Sequence, residues 1–141
     1  RTGDTLSRNV YWLSTHEDVL DWDASTWYHT PVTNYTDYRA LNGLSPAEVQ
    51  GTMHQLPFGV LGQTRVRVVL ENRSTVPAYF LRLVVLDERT REEIVPVYWS
   101  DNYVTLMPKE KIELTVGFEG PVRNMRVEIS GANVAVVTMN G

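Results

Sequence analysis

The sequence predicts an all-β fold, an antiparallel sandwich preceded by an aromatic and mostly irregular N-terminal segment. Three observations carry that prediction. Segments after residue 45 repeat with a period of two, turn-forming residues separate them at short intervals, and helical periodicity is nearly absent. The 141 residues suffice for one domain on the usual scale of about 100–200 residues. A barrel enzyme of roughly 250 residues does not fit. Hydrophobic residues at 43% and charged residues at 21% are ordinary globular values, so a packed core is expected rather than disorder.

The chain changes character near Ser45-Pro46, which places a boundary between a segment 1–45 and a sandwich 46–141. Within 1–45 the one helical candidate is Thr36 to Leu44, where Tyr38, Leu41 and Leu44 recur every three residues and Gly43 offers a stop. Glu48 to Leu56 reads as the first strand of the sandwich. From Thr64 to Leu70, Val66, Val68 and Leu70 share one face while Arg65, Arg67 and Glu71 take the other; only Val69 breaks the polar side. Ile112, Leu114, Val116 and Phe118 alternate in the same way with Lys111, Glu113 and Thr115, as do Met125, Val127 and Ile129 with Arg126, Glu128 and Ser130. Tyr79 to Leu86, Ile94 to Trp99 and Val134 to Met139 are β-branched, aromatic and apolar on both faces, the pattern of central or interface-covered strands. Turn formers divide these runs: Pro57-Phe58-Gly59, Asn72-Arg73-Ser74, Asp87-Glu88-Arg89, Pro108-Lys109-Glu110, Gly120-Pro121 and Gly131-Ala132-Asn133. About seven strands in roughly 95 residues have the size and spacing of an immunoglobulin-like domain.

Composition narrows the function classes. Thirteen Lys and Arg against 17 Asp and Glu leave a net charge of −4, with a pI near 5.3, which argues against a nucleic-acid partner. Cysteine is absent, so the fold has no disulfides and no thiolate zinc site. No apolar run approaches the roughly 18 residues of a membrane span, and no membrane partner is expected. The start at Arg1-Thr2-Gly3-Asp4, without Met and just ahead of an apolar run, reads as a piece of a longer polypeptide. Asn9-Val10-Tyr11-Trp12-Leu13-Ser14 is echoed by Pro96-Val97-Tyr98-Trp99-Ser100, an internal similarity that two successive domains of one kind would produce.

Chemistry-bearing patterns are sparse. Asp18, Asp21 and Asp23 miss the EF-hand spacing, so a solvated acidic loop is expected and no metal. His16, His29 and His54 are too scattered for HExxH. No G-x-S-x-G elbow and no glycine-rich phosphate loop occur, and nothing positions a pair among the 17 carboxylates. No catalytic residue and no cofactor are therefore assigned. Asn34-Tyr35-Thr36 and Asn72-Arg73-Ser74 match the glycosylation acceptor pattern but read as turn residues.

The N-terminal segment holds Tyr11, Trp12, Trp22, Trp27, Tyr28, Tyr35 and Tyr38, half of all aromatic residues in under a third of the chain. Such rings each bury about 150–250 Å² and suit a seam to a neighbouring domain. They also suit a sugar platform, with Asp21, Asp23 and Asn34 meeting hydroxyls. Trp99 and the following Asp101, Asn102 and Tyr103 offer the same two readings, beside a third in which their polar atoms satisfy the backbone where a strand bends. The candidate interdomain or sugar contacts are thus Trp22, Trp27, Tyr28, Trp99, Asp101, Asn102 and Tyr103.

Longer stretches carry a family resemblance. Ser7-Arg8-Asn9-Val10-Tyr11-Trp12-Leu13-Ser14-Thr15, Asp18-Val19-Leu20-Asp21-Trp22, Trp27-Tyr28 with Thr30-Pro31, Tyr38 to Leu44, and Val95 to Tyr103 followed by Leu106-Met107-Pro108 are similar to the C-terminal part of glycoside hydrolase family 2 enzymes. The nearest branch comprises exo-β-D-glucosaminidases and plant-type endo-β-mannosidases. The resemblance implies a parent that hydrolyses terminal β-mannoside or β-D-glucosaminide bonds, periplasmic or secreted, with a sugar-binding-like β domain, a (β/α)₈ barrel and several immunoglobulin-like domains. This chain would be the last of them, with Asn9 to Thr15 finishing the preceding domain or entering the linker. Retaining catalysis there uses two Glu about 5–5.5 Å apart, both in the barrel, so no catalytic residue carries over. The implied partners are the parent's other domains, with oligosaccharide as partner if the chain is instead an autonomous carbohydrate-binding module.

Overall fold

A computed structural model describes residues 7–57, 63–120 and 124–140. The chain divides into two compact units, Arg1–Gly43 and Leu44–Gly141. Of the turn formers named above, Phe58-Gly59 and Pro121 lie outside the described residues.

The first unit contains a two-stranded antiparallel sheet of β1 (Val19–Leu20) and β2 (Val32–Asn34), in which Val19 faces Asn34 and Leu20 faces Val32. Polar clasps reinforce it. The Asp18 carboxylate accepts from Thr36 N at 2.6 Å, Asp21 N donates to Pro31 O at 2.9 Å, and the Ser25 and Thr30 hydroxyls meet at 2.6 Å. The helical candidate Thr36–Leu44 becomes a 3₁₀ helix over Arg39–Gly43 with no buried residue. Its three-residue apolar recurrence matches a 3₁₀ repeat better than an α-helical one. The strands β1 and β2 have no sequence signal, because two or three residues are too short to show alternation. None of the described residues of this unit is buried.

The second unit is a sandwich of two four-stranded sheets with only antiparallel pairing between strands. One has the order β10-β9-β5-β7 and the other β3-β4-β8-β6. The strands are β3 (Val49–Leu56), β4 (Thr64–Asn72), β5 (Ala78–Asp87), β6 (Val97–Trp99), β7 (Val104–Leu106), β8 (Lys111–Phe118), β9 (Met125–Gly131) and β10 (Val134–Asn140). The period-two residues form the core as their alternation dictates. Val66, Val68, Leu70, Leu114, Val116 and Phe118 from one sheet meet Leu81, Leu83, Val85, Met125, Val127 and Ile129 from the other, all nearly inaccessible.

Eight strands replace the expected seven because Val104–Leu106 pairs with β5 as a strand of its own. Two of the runs read as central or interface-covered strands lie at sheet edges, which leaves the second of those readings for them. The run Ile94–Trp99 crosses between sheets: Ile94 N donates to Val85 O at 2.9 Å in one sheet, while Val97–Trp99 pairs with β8 in the other. Pro96, with no N–H for a ladder, sits at the crossing. Ile94, Val97 and Trp99 pack on the core while Val95 and Tyr98 are exposed, so only part of this apolar run meets the core. β10 is also an edge strand, and Val136 on it is exposed.

Asparagine side chains tie the layers together. Asn72, at the end of β4, is fully buried. Its amide nitrogen donates to the carbonyls of Val76, Leu106 and Met107 at 2.8, 3.1 and 3.2 Å, and its Oδ1 accepts from Ser74 N at 2.9 Å. It thereby joins a strand of one sheet to β7 of the other, and is not the plain turn residue expected from its place in Asn72-Arg73-Ser74. Asn133 acts alike, accepting from Tyr79 N at 2.9 Å and donating to the carbonyls of Ser45 and Pro77, both at 2.8 Å.

Candidate functional site

The side chains singled out in the sequence occupy two places. In the first unit Trp22, Trp27 and Tyr28 stand in the turn region between β1 and β2, held by bonds from Ser25 N to Trp22 O and from Thr26 N to His29 O. Their exposures are 72, 94 and 74%, and the rings of Trp27 and Tyr28 meet edge to face with centroids 5.0 Å apart. A neighbouring concavity of about 350 Å³ is lined by Leu13, His16, Glu17, Asp18, Thr36 and Tyr38, and includes none of those three rings.

The second place runs from the end of β6 to the β5–β7 edge. Trp99 is half-buried and packs on the core. After it, Ser100 exchanges backbone and hydroxyl bonds with Thr115 at 2.8 and 2.9 Å. Asp101 Oδ1 accepts from Asn102 N at 2.8 Å. Asn102 grips the backbone of Leu83 from both sides, Oδ1 accepting from its N–H at 2.8 Å and Nδ2 donating to its carbonyl at 2.9 Å. The ladder pairs Leu81 with Val104, so the Asn102 amide takes the place a further strand residue would fill. The same Oδ1 accepts from Tyr103 N at 2.8 Å. The reading in which these polar atoms satisfy the backbone at a strand bend describes Asn102 well.

Sequence reasoning passed over Phe80 and Arg82. Between Ala78 and Leu81 the register with β7 slips by one residue, a β-bulge, and Phe80 there adopts φ 59°. Phe80 lies 5.8 Å from the ring of Tyr103, which itself has φ 55°. Arg82 donates to Glu93 at 2.6 Å. The Glu93 bond and, to a smaller extent, Tyr103 hold the Arg82 guanidinium above its ordinary range.

Acid–base chemistry finds little support here. Three carboxyls among the described residues lie below their ordinary range. Thr36 N–H lowers Asp18, the Arg39 guanidinium lowers Asp37 to about 2, and Thr90 N–H lowers Asp87. Each is thereby fixed as an ionised acceptor, the opposite of a general acid. Asp18 accepts from Thr36 and Asp21 from Ala24 N, so two members of the D-x-x-D-x-D pattern serve the backbone. Among the described residues no group of three or more His, Asp or Glu is arranged to hold a metal, and no helix is long and apolar enough to cross a membrane.

The fold defines an immunoglobulin-like β-sandwich domain. A family model described as the exo-β-D-glucosaminidase Ig-fold domain matches residues 27–134. The exo-β-D-glucosaminidase of Arthroderma benhamiae is 50% identical over 132 residues, covering 94% of this chain and 14% of that protein. That of Hypocrea jecorina is 46% identical over 141 residues, covering 97% of this chain and 15% of the relative. The crystal structure of the Amycolatopsis orientalis exo-chitosanase superposes with a TM-score of 0.80 at 37% identity, over 96% of this chain and 16% of that one. The chain belongs to the exo-β-D-glucosaminidase Ig-fold domain family, and of the two branches the resemblance named, these relatives carry the first. It spans about one-seventh of the length of the curated relatives it matches.

Proposed function

We propose that the chain is a non-catalytic accessory domain of a glycosidase that removes terminal β-linked glucosamine residues. Segment 1–45 links it to the preceding domain, with Asn9 to Thr15 finishing that domain or entering the linker, and 46–141 forms the sandwich. Cleavage belongs to a barrel elsewhere in the parent, by a retaining mechanism that uses two Glu. The observation carrying this reading is the first unit itself: it exposes Trp22, Trp27 and Tyr28 and buries none of its described residues. A defined backbone without a core of its own needs another surface to cover it, and six-sevenths of the relatives' length is available to supply one. We assign these rings to an interdomain seam.

In the full-length parent, Trp22→Ala with Trp27→Ala is expected to lower the melting temperature, since loss of buried aromatic packing costs about 3–5 kcal/mol per site. An unchanged melting temperature refutes the seam. The edge-to-face Trp27–Tyr28 pair also favours a second reading, an autonomous carbohydrate-binding module. Calorimetry of the chain with glucosamine oligosaccharides separates them: heat abolished by Trp27→Ala supports the module.

A further inference from the structure

The β5–β7 edge carries a feature that core packing does not require. In a regular strand Phe80 would share the inward face with Ala78. The extra residue of the bulge reverses it: Ala78 and Leu81, three apart, are both fully buried, and Phe80 is turned out to 50% exposure. Tyr103, anchored through Asn102, is 55% exposed beside it. Both have left-handed backbones, which are rare and strained for bulky residues, where glycine would be unstrained. Strain of that kind persists where surrounding structure enforces it and clusters at binding sites. Here the bulge and the Asn102 clamp enforce it, and what they hold in place is a pair of outward aromatic rings.

The rim of the pair is polar. Arg82 donates to Glu93 at 2.6 Å, and Tyr103 acts on its guanidinium to a smaller extent. Flat apolar faces with a fixed fork of N–H donors and carboxylate oxygens at their border match an amphipathic ring, one whose C–H face is apolar and whose edge carries hydroxyls. The charges of Arg82 and Glu93 cancel, leaving the aromatic faces free to attract a ligand ammonium.

We infer that Phe80 and Tyr103, with Arg82 and Glu93 at their border, form a saccharide platform for glucosamine oligomers, separate from the Trp22, Trp27 and Tyr28 rings. The choice of sugar rests on the accessory-domain reading above. The test is an NMR and calorimetric titration of the 141-residue chain with a glucosamine hexasaccharide, repeated on Phe80→Gly and Tyr103→Gly. Wild type is expected to show shifts concentrated at Phe80, Tyr103 and Arg82. Each glycine variant should weaken binding about tenfold or more while keeping its melting temperature, because glycine relieves the backbone strain that offsets the lost ring contacts. A merely structural role would lower the melting temperature and leave binding unchanged, which overturns the inference. So does a flat wild-type titration, or binding abolished by Trp27→Ala but not by Phe80→Gly. If the chain ignores sugar and the glycine variants instead lower the melting temperature of the full parent, the surface docks protein and the platform is wrong. The accessory-domain reading is scored separately, by the seam variants in the parent.

Discussion

Asn72→Ala tests whether the two sheets are held by a single buried amide. The side chain donates two hydrogens among three carbonyls and accepts one bond, in a position with no solvent access. A net hydrogen bond contributes about 1 kcal/mol, and a buried group left without a partner costs about 1–3 kcal/mol. Three lost bonds plus the stranded Leu106 carbonyl give a loss of about 4 kcal/mol. That is a large part of the ~5–15 kcal/mol that stabilises an ordinary domain, and corresponds to a fall in melting temperature of about 16–30 °C for a unit of this size. The assay is urea unfolding of the chain followed by tryptophan fluorescence, Trp99 being the indole packed on the core. Asn72→Asp is the informative companion. It keeps the bond from Ser74 N but turns a carboxylate oxygen toward three carbonyls, which raises its folded pKa above the unfolded value of about 3.9. Its stability should therefore be greatest at low pH and be lost as pH rises past that value. A loss below about 1 kcal/mol for the alanine variant, or an aspartate variant as stable as wild type at neutral pH, would refute the reasoning.

Gly131→Ala should destabilise by about 1–3 kcal/mol, since a Cβ there would lie 2.8 Å from Leu81 Cδ2 and 3.0 Å from the backbone oxygen of Tyr79. Gly51→Ala meets the Met139 sulfur at 2.5 Å, but a flexible thioether can move aside, so thermal melts should rank it the milder change; the reverse order contradicts the packing described. Asp37, lowered to about 2 by Arg39, stabilises the first unit above the unfolded carboxylate value of about 3.9, a contribution lost as pH falls through the folded value. Carboxyl-detected NMR should show that low midpoint, and Arg39→Ala should return it to the ordinary range.

Much of the sandwich was legible because its core residues obey one rule. Val66, Val68 and Leu70, or Met125, Val127 and Ile129, alternate with mostly polar neighbours, and these six are buried while the residues between them are not. What escaped was decided by tertiary context. Val104–Leu106 is too short to show a period, and Ile94–Trp99 reads as one strand although it serves two sheets. Of the candidate contacts, Asn102 and Tyr103 stood out because polar and aromatic residues cluster after Trp99. Phe80 and Arg82 did not, since Tyr79 to Leu86 reads as one regular strand whose single charged residue signals nothing by itself. Nothing in a phenylalanine announces a left-handed backbone; only the spacing of Ala78 and Leu81 on the buried face reveals the bulge. The asparagines were taken for turn formers because their sequence signature is the same whether the amide meets water or replaces a strand.

The parallel contact between Ala47 and Val134 has a mechanical consequence. Ala47 N donates to Asn133 O at 2.8 Å, so the lead-in to β3 and the start of β10 run side by side in one direction. Tension applied before β3 and after β10 pulls these segments in opposite senses along their own axes. Their contacts are then loaded in shear, all together, and do not peel one after another. A pull on the two ends of this domain is thus resisted by its first and last segments jointly.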